Sequence, residues 1–291
     1  MDVPPRSSDV PRRSSDVPRR PSDVPPPGPP LEPAVIRALW DFEDPVGSQG
    51  RFAAAAADGT RPAGHRDELV TQVARALGLQ GRFDEGFAAL DAITADGGVV
   101  GVRVLLERGR LHRSAGDPAA AVPLFRAAVA SASDVGAVAL AVDALHMLVL
   151  ADPEGAERWS AAALALVAAS GDAEVERWSV PLLTNLGWSR FDAGRPAEAL
   201  QAFGRAHAAS TRPTGGGVGS DDEQVARWTV ARCLRELGRE AEALAMQRAL
   251  LVERPDDPYV REELELLGGG SSSEGGSSRE GGSSDAGRSA P

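Results

Sequence analysis

Residues Ala193–Ala206 read AGRPAEALQAFGRA, and residues Ala115–Ala128 read AGDPAAAVPLFRAA. Each holds a small residue, a glycine, a proline two places on, a small residue five places after the glycine and a phenylalanine four places further. Before the earlier copy, apolar and small residues recur at helical spacing through Leu105, Leu106, Gly109 and His112; after it, Ala121, Leu124, Phe125 and Ala128 resume the pattern. The stretch therefore predicts helix, turn, helix. Gly116 supplies a left-handed C-cap, Asp117 can cap the next helix, and Pro118 is tolerated at its first position.

The same turn recurs at Gly81-Arg82-Phe83-Asp84, Gly194-Arg195-Pro196 and Gly238-Arg239-Glu240. A weaker copy, Ala151-Asp152-Pro153-Glu154, places its Asp-Pro pair thirty-five residues after Asp117-Pro118. The small position is filled by Gly86, Ala121, Ala199 and Ala243, with Ala156 in the weak copy, and the larger one by Leu90, Phe125, Phe203 and Gln247. Small residues let paired helices approach closely while larger ones fill the next layer.

A period of about 34 residues, the order of small residue, glycine turn, alanine and aromatic, and Pro255 after the last hairpin resemble the tetratricopeptide repeat (TPR) family. The resemblance covers Asp67 to Asp257, and the entry segment RALWDFEDP is similar to that of TPR proteins from GC-rich bacteria. It implies an all-α fold: a right-handed superhelical solenoid of about six antiparallel helix pairs with a C-terminal capping helix. Leu31–Asp58 is expected to form the sixth, degenerate pair, with PAVIRALW and DPVGSQGRFAAAAA split at Asp44-Pro45. Asp257–Leu267 is the expected cap, with Glu262, Glu263 and Glu265 keeping one face wet. The bulky residue expected near Arg190 is displaced to Trp188 or Phe191, and Arg212–Ser220 reads as a flexible loop.

Composition agrees with packed helices. The chain has 291 residues, 42% hydrophobic and only 4% aromatic, so a core must rest on Ala, Leu and Val. Residues 1–30 repeat Asp-Val-Pro from Asp2, Asp9, Asp16 and Asp23, and this Pro/Arg/Ser-rich arm is expected to be disordered. It is either a docking or phosphorylation arm or a solubilising tail. Residues 31–267 carry the solenoid, and residues 268–291 form a Gly/Ser tail expected to hold no fixed structure.

All 31 basic residues are arginine, which excludes a Walker-type phosphate loop and Schiff-base chemistry, both of which need lysine. A net charge of -11 argues against nucleic acid or anionic membrane partners. Cys233 is the sole cysteine, so no intramolecular disulfide forms, and the N-terminus lacks the apolar core of a signal peptide. The apolar run Val135–Ala151 is cut by Asp143 and His146 and is too short for a membrane span. A cytoplasmic location is expected.

His65, His112, His146 and His207 are scattered, with no metal-ligand spacing, so neither metal nor cofactor is expected. His112 and Cys233 read as core residues. The glycines at 215–219 lack a preceding strand and read as linker, and Asp221-Asp222-Glu223 suits a helix N-terminus. No catalytic constellation is found.

The TPR resemblance further implies that the first helices line a concave, peptide-binding groove. The small residues Ala74, Gly109, Ala144, Gly187 and Ala231 set the register, and side chains one and four positions later are expected to face inward. These are Arg75 and Gly78, Arg110 and Arg113, Leu145 and Leu148, Trp188 and Phe191, Arg232 and Arg235, with Trp228 and Asn185 adding contacts. Such a groove would grip a segment with apolar anchors in its middle and carboxylates near its ends. The alternative is that Leu145, Leu148, Trp188 and Phe191 pack between repeats and the arginines pair with neighbouring acids. The family's carboxylate clamp is not reproduced at the matching positions. Three roles follow: a non-enzymatic protein- or peptide-binding adaptor, a self-associating structural protein that forms a homo-oligomer, and a regulator controlled by a peptide or small molecule.

Overall fold

A computed structural model describes residues 29–94, 97–212 and 220–269. Residues 1–28 of the expected arm, 270–291 of the expected tail and 213–219 of the loop expected at Arg212–Ser220 lie outside the described residues, while residues 268 and 269 of the expected tail belong to α14. The helices in chain order are α1 (Pro33–Leu39), α2 (Pro45–Ala57), α3 (Ala63–Leu79), α4 (Phe83–Asp91), α5 (Gly98–Ser114), α6 (Pro118–Asp134) and α7 (Val138–Ala151). They continue as α8 (Ala156–Ser170), α9 (Ala173–Glu176), α10 (Ser179–Asp192), α11 (Pro196–Ser210), α12 (Asp221–Glu236), α13 (Glu240–Glu253) and α14 (Pro258–Gly269). There is no strand among the described residues.

Five hairpins, α3–α4, α5–α6, α7–α8, α10–α11 and α12–α13, stack in sequence order, and α6 and α11 also pack on the next first helices, α7 and α12. In four of them the turn is built from the same bonds. Gly81, Gly116, Gly194 and Gly238 have φ of 73°, 87°, 71° and 71°. The next amide in each case, of Arg82, Asp117, Arg195 and Arg239, donates to the carbonyl five residues back, at 3.0, 2.9, 2.9 and 2.9 Å. This satisfies carbonyls that a helix end leaves orphaned. Asp117 then caps α6 through the Ala120 amide at 3.0 Å. Where arginine follows the glycine, it pairs with a glutamate three residues on: Arg82 with Glu85, Arg195 with Glu198, Arg239 with Glu242.

The weak copy has no left-handed glycine at the start of its turn, and Asp152 does the work instead. Its carboxylate accepts from the Gly155 amide at 3.2 Å and from Trp159 Nε1 at 2.9 Å, across a single 3-10 turn at Pro153–Gly155.

The alternation of small and large residues sets the core. Ala121, Ala199 and Ala243 are fully buried, as are Leu90, Phe125, Phe203 and Gln247 beneath them. Facing them across each hairpin, Ala74, Ala144 and Ala231 are buried, and Gly109 and Gly187 lie against the rings of Phe125 and Phe203. Leu111 fills the space left by two glycines at once: a Cβ on Gly78 or on Gly86 would sit 2.8 Å from its Cδ2.

The ends differ in detail from the expected pattern. Asp44 caps α2 through the Gly47 amide at 2.9 Å, as its Asp-Pro pair requires, but α1 stops at Leu39 and Trp40 is already extended. Leu31 and Ile36 join Phe52 and Leu69 in a small cluster that fastens α1 to α2 and α3. Helix α9 is an addition that the repeat pattern does not contain. It is capped by Asp172 and inserted before α10, with Val175 buried beside α7. At the far end, α14 packs on α13 and α12 as a cap, but Glu263 is only 4% exposed, which corrects the expectation that it keeps a wet face.

Candidate functional site

A polar seam crosses the first helices. On α3, Glu68 is buried; its Oε1 accepts from the Leu31 amide at 2.8 Å and its Oε2 from Arg103 Nε of α5 at 2.9 Å. Two turns along α5, the Arg110 guanidinium donates to both Glu107 and Asp143 of α7. Next to Asp143, His146 receives the Asn185 amide of α10 at 2.7 Å, and Trp178 lies 5.3 Å from the imidazole. Four helices are thereby linked by side chains on one face.

At Arg110, Asp143 and His146 burial works against charge, and partners decide which of them keeps it. For Arg110 the carboxylates of Asp143 and Glu107 outweigh burial and raise its pKa above the usual guanidinium value. Burial alone would raise the Asp143 carboxyl, but Arg110 and Arg75 reverse that and hold it below the ordinary range. Burial pushes His146 down to about 4, so it is neutral at pH 7. Its Nε2 then accepts from Asn185, and the proton sits on Nδ1.

Two guanidiniums are left over. Arg75, half-buried on α3, stacks 5.3 Å from the ring centroids of both Trp40 and Phe42 and has no carboxylate partner among the described residues. Burial and then the neighbouring Arg110 lower its pKa to about 10. Arg113, one turn beyond Arg110, is likewise half-buried without an acid, and burial followed by Arg110 lowers its pKa too. Among the described residues Arg75, Arg103, Arg110 and Arg113 thus share three carboxylates, Glu68, Glu107 and Asp143.

The remaining expected groove residues divide differently. Leu145 and Leu148 are 3% and 0% exposed and sit in the largest apolar cluster, not on the inner surface. The reason is α7 itself, VALAVDALHMLVLA, of which ten of fourteen residues are buried, so only Asp143 and His146 contribute polar groups there. Trp188, Phe191 and Trp228 cluster around Arg232, whose guanidinium lies 5.5, 5.4 and 5.5 Å from their centroids. Arg235 is held by Glu263 at 2.8 and 3.2 Å, and the same carboxylate lies 3.7 Å from Arg232 Nε. These two arginines fasten the cap. Gly78 makes room for Leu111. Cys233 is buried beside Phe203, and burial raises its thiol to about 12. Among the described residues there is no cluster of side chains that could hold a metal ion, and no helix is long and apolar enough to cross a membrane.

No protein-family model matches the chain, and no curated protein matches it. Among solved structures it is similar to the apo form of the quorum sensor NprR from B. thuringiensis, at 11% identity over 80% of this chain and 67% of that chain, with a TM-score of 0.55. It is also similar to TTC0263, a thermophilic TPR protein in Thermus thermophilus, at 18% identity over 69% and 98% of the two chains, with a TM-score of 0.40. For the assembly chaperone of RpL4, Acl4, the values are 18% identity, 80% and 93% coverage and a TM-score of 0.45.

The fold is a TPR-like solenoid of repeated helical hairpins. In TPR terms α3, α5, α7, α10 and α12 are the first helices of five repeats, and the seam runs along their shared face. Sequence spacing found Arg75, Arg110, Arg113 and Asn185 on that face. It missed Glu107, Asp143, His146 and Glu263. A signal existed for Asp143 and His146, the two polar residues interrupting an otherwise apolar helix. None existed for Glu263, which looks like any solvated glutamate.

Proposed function

We propose that this protein is a non-enzymatic adaptor whose inner face binds a protein or peptide segment carrying carboxylates and apolar side chains. One observation carries the reading: Arg75 and Arg113 are half-buried cations that form no salt bridge with an acid among the described residues, in a chain of net charge -11. A half-buried, unpaired guanidinium is costly unless a ligand completes it, and a carboxylate does so with two parallel hydrogen bonds. Trp40 and Phe42 hold the Arg75 side chain in place, so little rotamer freedom remains to be lost on binding. Arg110, flanked by both, is already neutralised and orients rather than binds.

The test is fluorescence anisotropy of acidic peptides with a central leucine or valine, using wild type and the Arg75→Gln, Arg113→Gln double variant, with melting curves for both. Wild type should bind such peptides and the variant should bind at least about tenfold more weakly, the loss expected for one charge-assisted pair. Equal affinity of the two proteins would remove the arginines from the site. Binding should also weaken as salt rises.

A further inference from the structure

The C-terminal half of the inner face carries a different chemistry. Trp188 of α10, Trp228 of α12 and Tyr259 of α14 form a ladder with ring centroids 6.0 and 6.0 Å apart and planes inclined at 47° and 64°. The two tryptophans are half-buried and Tyr259 is 55% exposed. Arg232 supports both indoles by cation-π contact. Trp228 Nε1 donates to the Tyr259 carbonyl at 3.3 Å, whereas Trp188 Nε1 has no acceptor among the described residues.

A row of tilted rings with an open indole donor suits a polyproline II segment. Its prolines pack against ring faces, and its carbonyls, which make no internal hydrogen bonds, accept from the indole N–H. Two residues of such a helix advance about 6.2 Å, close to the step of the ladder.

The chain owns a segment of this composition. Residues 1–28 contain eight prolines and lead directly into Pro29, whose carbonyl lies 2.8 Å from His65 Nε2 of α3. In polyproline II form they would span roughly 87 Å, and Trp188 lies three first-helix steps from α3, roughly 30 Å at common helix spacings. Arg75 and Arg113 belong to the first helices α3 and α5 on the way, and Asp2, Asp9, Asp16 and Asp23 bring carboxylates every seventh residue. The arm also carries five arginines, and the rest of the chain is acidic.

We infer that residues 1–28 dock in cis on the Trp188–Trp228–Tyr259 ladder, so that the groove holds an internal ligand which a partner must displace. This rests on the groove reading above. Limited trypsin digestion of the full chain tests it. The bonds after Arg6, Arg12, Arg13 and Arg19 precede residues other than proline, and their cleavage is compared with that of a synthetic peptide of residues 1–28. Tethering gives an effective concentration on the order of 1 mM, enough to fill even a weak site and slow cleavage about tenfold.

Tyr259→Ala, which removes an exposed ring, should restore peptide-like cleavage with an unchanged circular dichroism spectrum. Pro25→Ala, Pro26→Ala and Pro27→Ala together, which leave the solenoid untouched, should do the same. Cleavage of wild type at the rate of the free peptide overturns the inference, as does protection that survives both variants. Protection that grows with protein concentration, with a dimer in light scattering, assigns the site to a second copy's arm and overturns docking in cis. Protection that persists while acidic peptides ignore Arg75 and Arg113 keeps the ladder and sinks the arginine reading; acidic peptides binding through those arginines without arm protection does the reverse.

Discussion

Phe203 of α11 lies so close to Gly187 of α10 that a Cβ at the glycine would stand 2.7 Å from the ring's Cζ, and Phe125 stands in the same relation to Gly109 at 2.8 Å. Two repeats thus use one device: the smallest residue on the first helix receives the largest on the second. Gly187→Ala should destabilise the protein by about 1–3 kcal/mol through overpacking. Gly204→Ala, in the same hairpin but facing open space, should stabilise it by about 0.5–1 kcal/mol through helix propensity. Urea unfolding of the two variants checks the opposite signs.

His146 makes stability depend on pH. Its folded pKa of about 4 lies below the ordinary 6.5, so the unfolded chain binds the proton first. The contribution is fully present above pH 6.5 and is lost as pH falls toward 4, amounting to about 3 kcal/mol for a shift of this size. His146→Gln keeps an acceptor for Asn185 and should flatten the melting temperature across that window.

The buried ion cluster should show strong non-additivity. Arg110→Leu leaves Glu107 and Asp143 buried without their cation and should cost about 3–5 kcal/mol. Adding Glu107→Leu and Asp143→Leu should recover most of that loss. Chemical denaturation of the single and triple variants measures the difference, and equal destabilisation would show that the cluster does not act as a unit.

Glu263→Gln should loosen the cap selectively. It removes the charge that Arg235 and Arg232 share, at a cost of about 1–3 kcal/mol. In a solenoid each repeat contacts only its neighbours, so amide exchange should quicken in α14 and stay unchanged in α5 and α6.

The hairpins were legible because their signals are local. Gly116, Asp117 and Pro118 each act within a turn, and the small-large alternation survives copy after copy. Residues whose environment is made by distant chain were not legible. Leu145 and Leu148 occupy the same register as Arg110 and Arg113, yet they are core because most of α7 is buried. Glu263 is buried because two arginines on α12 await it, and α9 breaks the repeat period, so no template could contain it.

The burial of α7 has a mechanical meaning. Ten of its fourteen residues are buried, whereas α1 reaches α9 through the exposed Arg37–Glu174 pair. Exposed pairs yield at about 1 kcal/mol or less, while dense apolar packing resists deformation. The coil should therefore be unevenly stiff: the contact between α1 and α9 gives way first, and the turn built on α7 deforms last.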